Sequence, residues 1–232
     1  MKIGFNIVSE VGNEMNYMRN AITKKHISGA GVYTKKCNEI FEKRFSIKKS
    51  LLATSCTHAL EAVSILLNIK PGDEVILPSY TFVSTANAFI LNGAKPVFID
   101  IRRDTLNMDE KLLKTLITRK TKAIIPVHYA GVSCELNAIV EIAKENQIHV
   151  VEDNAHGLFG KYKEKFLGTF GTFSTQSFHE TKNITCGEGG SLFVNDDKYI
   201  ERAEIIFDKG TNRQNFLRNQ VKKYSWVDNG SS

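Results

Sequence analysis

One lysine, Lys182, lies between two β-type runs and just before a cluster of glycines, in the stretch Ser177-Phe178-His179-Glu180-Thr181-Lys182-Asn183-Ile184-Thr185-Cys186-Gly187-Glu188-Gly189-Gly190. An amine in a turn walled by backbone is partly desolvated, and desolvation disfavours the ammonium form. The neutral amine is a nucleophile able to form a Schiff base. The glycines that follow allow close backbone approach to a flat ligand. Taken alone, the stretch describes a solvated surface lysine beside a Gly-rich turn more readily, so its companions decide the reading.

Three companions have chemistry of their own. Ser55-Cys56-Thr57 stands at a helix start, where free N–H groups and hydroxyls hold a phosphate, although such residues also serve as a plain N-cap. The segment 78–85 is polar and aromatic together, and Phe82 is either a core aromatic or a ring that lies on a planar ligand. The apolar run 150–152 delivers Asp153 to a strand tip, where it either caps the next helix or faces a protonated ring nitrogen. A Schiff-base lysine, a phosphate cup, a stacking aromatic and a strand-end aspartate together describe a pyridoxal-phosphate site. Among the other conspicuous residues, His128 ends a strand and could approach such a cofactor, and His58 reads as a helix-surface histidine. His179 and Glu180 read as loop residues bonded to backbone, and Trp226 as a packing or partner contact.

These residues need elements to position them. Apolar positions at helical spacing predict helices over 34–45, 59–67, 85–91, 109–117, 135–146 and 197–207. Strand signals fall at 51–53, 74–77, 96–101, 123–127, 149–152, 173–178 and 191–194. This alternation argues for an α/β fold with a mostly parallel sheet, which binds ligands at the carboxyl ends of its strands.

Composition bounds the rest. The 232 residues, 42% hydrophobic and 24% charged, make an ordinary globular chain of one large domain or two small ones. The net charge of +6 is spread along the chain, which fits phosphorylated small molecules as well as nucleic acid. Four cysteines without a CxxC pair indicate neither a zinc site nor a disulfide framework, and the reducing cytosol is the expected compartment. No apolar run reaches membrane-spanning length, and residues 1–18 do not read as a leader. No G-x-G-x-x-G follows the first strand, which argues against a dinucleotide-binding Rossmann protein.

The chain resembles the DegT/DnrJ/EryC1/StrS family of sugar-nucleotide aminotransferases along its whole length. The resemblance rests on Phe82 in a Thr-aromatic-x-Ser/Ala-Thr segment, on Asp153 to His156 in a Glu-Asp-x-Ala-Gln/His segment, and on the run from Ser177 through Lys182 to Gly190. It implies the large domain of the aspartate-aminotransferase type (PLP fold type I), with a mostly parallel central sheet flanked by helices. That domain would occupy 1–232, with an N-terminal arm at 1–15 and, at 210–232, an incomplete connection toward a small carboxyl-terminal domain. The passages PSYTFVSTANAFILNGAKPVFID, PVHYAGVSCEL and FHETKN look most like members that move an amino group from glutamate to C4 of a dTDP-4-keto-6-deoxyhexose for surface polysaccharide.

Carried over by position, the resemblance implies that Lys182 forms the Schiff base with pyridoxal 5'-phosphate and then serves as acid and base. Asp153 would hold the pyridine nitrogen protonated, His156 would meet the ring's phenolic oxygen or face, and Phe82 would stack on the ring. Cys56, Thr57 and Ser177 would hold the phosphate, with no metal required. The implied partners are a sugar nucleotide, glutamate and a second copy in a homodimer, with no nucleic acid and no membrane. Cys56 departs from the glycine many members carry, though only its N–H is needed. Because the family continues well past Ser232, the chain alone is expected to be a poor catalyst. The alternative is a silent remnant that retains the cofactor cup or acts as an interaction module. Lys182 argues against the family's dehydratases, which carry histidine there.

Overall fold

Short apolar runs bounded by turn residues form the strands. In chain order these are β1 (Lys49–Ala53), β2 (Glu74–Pro78), β3 (Lys95–Ile99), β4 (Thr121–Ile124), β5 (His149–Asp153), the two-stranded hairpin β6 (Lys161–Tyr162) and β7 (Lys165–Phe166), β8 (Phe173–Ser177) and β9 (Gly190–Val194). The computed structural model describes residue 7 and residues 10–231. Seven strands make one sheet in the order β1-β9-β8-β5-β4-β2-β3. Only β9 runs against its neighbours, β1 and β8. Six carboxyl ends therefore share one edge, and β9 starts there, with Gly190 opposite both Ala53 and Ser177.

Period-two alternation sorts the strand residues between two cores. Val75, Leu77, Ala123, Ile125 and Val151 pack with α3 (Cys56–Leu66), α4 (Val83–Ile90) and α7 (Ile200–Phe207). Ile76, Ile124 and Val150 face the other way, toward α5 (Leu113–Leu116) and α6 (Leu136–Glu145). Burial on both faces explains why these strands read as near-continuous apolar runs. A third, aromatic cluster joins α2 (Val32–Phe45) to the β9 side of the sheet through Phe41, Phe45, Phe178 and Phe193.

Differences from the expected elements have local causes. The helix expected over 109–117 splits, because the Asp109 side chain accepts from Lys111 N and closes a 3₁₀ turn at Glu110–Leu112. Only the single turn of α5 follows. The strand expected over 123–127 ends its ladder at Ile124, although Ile125 N still donates to Ile76 O and Val127 bridges to Asp153. Three pieces had no expectation: α1 (Glu14–Thr23), the β6–β7 hairpin and α8 (Arg213–Leu217). Residues 1–6, 8 and 9 of the arm expected over 1–15 lie outside the described residues, as does Ser232. The end of that arm is already the start of α1. Residues 210–231 fold back on α7, where Arg202 holds Asp228 at 2.7 Å and Leu66 O at 2.9 Å.

Candidate active site

At the shared edge of the sheet lies a cavity of about 380 Å³. Its first wall is the start of α3. The Ser55 hydroxyl caps the helix by accepting from His58 N at 3.0 Å, which leaves the Cys56 and Thr57 N–H groups of the first turn without intrahelical acceptors. The Thr57 hydroxyl donates to Ser84 Oγ at 2.9 Å. Gly190 is what allows the sheet to come this close: a Cβ there would sit 2.5 Å from Cys56 N. The Cys56 thiol is enclosed, and burial first, then the Asp153 charge, pushes its pKa up, so it stays protonated.

Asp153 forms the floor. As the last residue of β5 it is only 5% exposed and accepts from Thr85 Oγ1 at 2.7 Å and from Ala155 N at 3.2 Å. Thr85 in turn meets Thr81 at 2.8 Å. Two donors leave the carboxylate with acceptor capacity to spare, since two oxygens offer about four lone-pair sites.

Lys182 enters from the segment between β8 and β9. That segment is tied at its base by Phe178 N to Gly189 O (2.8 Å) and Cys186 N to Phe178 O (3.0 Å). It is tied at its side by Asn183 Nδ2 to Leu158 O (2.9 Å). Lys182 is half-buried, and burial lowers its ammonium pKa while the Asp153 charge opposes the shift. His156 Nδ1 accepts from Ala130 N at 3.1 Å, so the ring is neutral with its other nitrogen carrying the proton. Burial and Lys182 both lower its pKa, consistent with that state.

All seven residues singled out in the sequence, Cys56, Thr57, Phe82, Asp153, His156, Ser177 and Lys182, line this one cavity. Phe82 presents a 71% exposed ring to it, which rules out the core alternative. Sequence reasoning missed Ser84, Thr85 and Tyr129, which also line it. Two sit on α4, within one turn of Phe82, where proximity was the available signal, and Tyr129 lies five residues beyond the end of β4.

Two histidines differ from expectation. His128 is not at the cavity: it is fully buried, with Nε2 3.0 Å from Glu152 Oε2 and Nδ1 accepting from Cys134 N at 3.3 Å. His58 is not a surface residue, because its ring stacks on Phe207 at 5.5 Å and burial lowers its pKa. His179 Nδ1 does bond within its loop, accepting from Thr181 N at 3.2 Å. Among the described residues no cluster of His, Cys, Asp and Glu could hold a metal ion, and no helix is long and apolar enough to cross a membrane.

A single antiparallel strand in an otherwise parallel seven-stranded sheet, helices on both faces, and a lysine and an aspartate at the carboxyl edge are the architecture of PLP fold type I aminotransferases. The profile of the DegT/DnrJ/EryC1/StrS aminotransferase family matches residues 9–227, and the chain belongs to that family. It is 42% identical over 188 residues to the uncharacterized protein MJ1066 of Methanocaldococcus jannaschii, covering 81% of this chain and 49% of that one. It is 41% identical over 170 residues to the spore coat polysaccharide biosynthesis protein SpsC of Bacillus subtilis, covering 72% and 44%. Among solved structures, the PLP form of the putative sugar aminotransferase Spr1654 from Streptococcus pneumoniae superposes with a TM-score of 0.87 at 28% identity, over 100% of this chain and 62% of that one. The chain thus spans about half the length of the curated relatives it matches.

The family's aminotransferases depend on pyridoxal phosphate. The cavity fits that group on its own chemistry. The Cys56 and Thr57 N–H groups, with the hydroxyls of Ser177 and Ser84, form a donor set for a phosphate. The same cavity is lined by a buried carboxylate suited to a protonated ring nitrogen and by a partly desolvated amine.

Proposed function

We propose that the protein is a pyridoxal-phosphate-dependent sugar aminotransferase that transfers an amino group from glutamate to C4 of a dTDP-4-keto-6-deoxyhexose, as a dTDP-4-amino-4,6-dideoxygalactose transaminase does. The observation that carries this reading is the convergence of Lys182, Asp153 and the α3 start on one cavity. The acceptor sugar, the donor and action as a homodimer are part of the proposal.

When bound, the cofactor supplies an electron sink for the carbon that gains or loses the amino group. Lys182 would hold it through Nζ and would carry a proton at that same atom. Its lowered pKa favours the free amine this requires. Asp153 would keep the ring nitrogen protonated, and its Thr85 and Ala155 bonds fix which way its oxygens point. Cys56, Thr57 and Ser177 would bind the phosphate, Phe82 would stack on the ring, and His156 would meet the ring's phenolic oxygen or face. Among the described residues the walls offer hydroxyls, phenol and imidazole and no arginine, a lining suited to a hydroxylated sugar.

Borohydride reduction of the PLP-loaded protein followed by peptide mapping tests the cofactor assignment. The label is expected on Lys182, and a label on another lysine refutes it. Because the lowered pKa enlarges the neutral fraction, Lys182 should capture PLP at a lower pH than exposed lysines do. A panel of keto sugar nucleotides and amino donors tests the substrate, and activity confined to free keto acids refutes it.

A further inference from the structure

Tyr129 has a setting that none of the roles above uses. It lines the cavity, yet its position is fixed from outside. Its N–H donates to Oδ1 of the buried Asn107 at 3.2 Å, and the next N–H, of Ala130, donates to His156 Nδ1 at 3.1 Å. Ala130 itself sits in the left-handed region at φ 52°, a conformation a non-glycine residue keeps only when its surroundings hold it there. The Tyr129 ring lies between two other rings, Tyr80 at 4.4 Å and His156 at 5.2 Å, the latter edge-on. The Tyr129 hydroxyl therefore offers one donor and two lone pairs on a firmly held ring in the cavity wall.

Such a group discriminates between the two substrates of the proposed reaction. A neutral phenol gives a dicarboxylate little that water does not, because carboxylates are held best by charged donors. For the hydroxyls of a hexose it offers both donor and acceptor on a rigid support. We propose that Tyr129, backed by Tyr80, is a specificity-determining residue for the sugar: its hydroxyl hydrogen-bonds the hexose of the acceptor nucleotide. This rests on the sugar-aminotransferase reading above and names a residue for one half of that reaction.

The test measures the two half-reactions separately in the PLP-loaded protein, together with binding of an unreactive dTDP-6-deoxyhexose by calorimetry. Tyr129→Phe keeps the ring and the stack and removes the hydroxyl. It should raise both the KM for the keto sugar nucleotide and the Kd for the analogue about three- to tenfold, the size of one neutral hydrogen bond. Tyr80→Phe, which keeps the ring packed on Tyr129 and removes only its own hydroxyl, should shift them by less. The glutamate half-reaction should change less than the sugar half-reaction in both variants. Equal losses in the two halves, or an unchanged sugar KM and Kd, would overturn the proposal. Tyr129→Ala adds the loss of the stack, and should it fail to fold, the Phe variants still decide. If the unmodified protein reacts with glutamate but with no hexose nucleotide, the substrate reading falls and takes this proposal with it. A wild type active on sugar with insensitive Phe variants removes only the role of Tyr129.

Discussion

Two adjacent carboxylates at the end of β5 have opposite surroundings. Glu152 accepts from Gly168 N (2.7 Å), Phe170 N (2.7 Å) and Gly171 N (2.8 Å), and it meets His128 Nε2 at 3.0 Å. Asp153, one residue on and facing the other side of the sheet, has only two donors and a cavity in front of it. Glu152 is saturated and therefore fixes structure, holding the 168–171 turn and the end of β4 in place. Asp153 has capacity left over, and that remainder is available to a ligand. Residue type and burial are nearly the same for both; unspent hydrogen-bonding capacity separates them.

The comparison makes predictions that can break it. Asp153→Ala should slow proton abstraction in the PLP-loaded protein by several powers of ten, each about 1.4 kcal/mol of barrier, with a smaller change in the denaturation midpoint. Near-normal turnover would show that its free capacity serves no ligand. Glu152→Ala should do the reverse. With three backbone donors and His128 left unpaired in the interior, unfolding free energy should drop by about 3–5 kcal/mol, a large part of a typical total of about 5–15. Urea titration reads this directly, and a loss under about 1 kcal/mol would mean the turn finds other partners. Ser55→Ala sharpens the comparison at the other wall. Removing the cap of α3 should cost about 1 kcal/mol of stability and weaken PLP binding modestly, both measurable by thermal shift with and without cofactor.

The pair also shows what could be read in the sequence. Alternation along 149–153 states that Glu152 and Asp153 face opposite sides, and the strand tip marks Asp153 for a ligand. Nothing in the sequence states what lies behind Glu152, because its partners come from a turn sixteen to nineteen residues away that has no periodicity of its own. The seven main strands and the central helices were legible because their apolar runs are buried on both sides of a sheet. The missed elements lack that signature. None of the α1 residues is buried, the strands of the hairpin are two residues each, and α8 has only five residues, all at least partly exposed. Tyr129 escaped for a different reason: what distinguishes it is its support by Asn107, Tyr80 and His156, all distant in sequence.

The strand that runs against the others also has a consequence in time. β1 touches the sheet only through β9, and their contact joins Ser50 to Ser191 across 141 positions of chain, hydroxyl to hydroxyl at 3.0 Å. Closing so long a loop is entropically costly, and such distant pairings slow folding. The start of α3 that walls the cavity hangs from β1, and Lys182 precedes β9 by only a few residues. During synthesis, then, the segment that carries Lys182 is anchored at both ends only after residue 194 has emerged, when β9 slots between β1 and β8. Capture of the cofactor becomes a report that the sheet has closed.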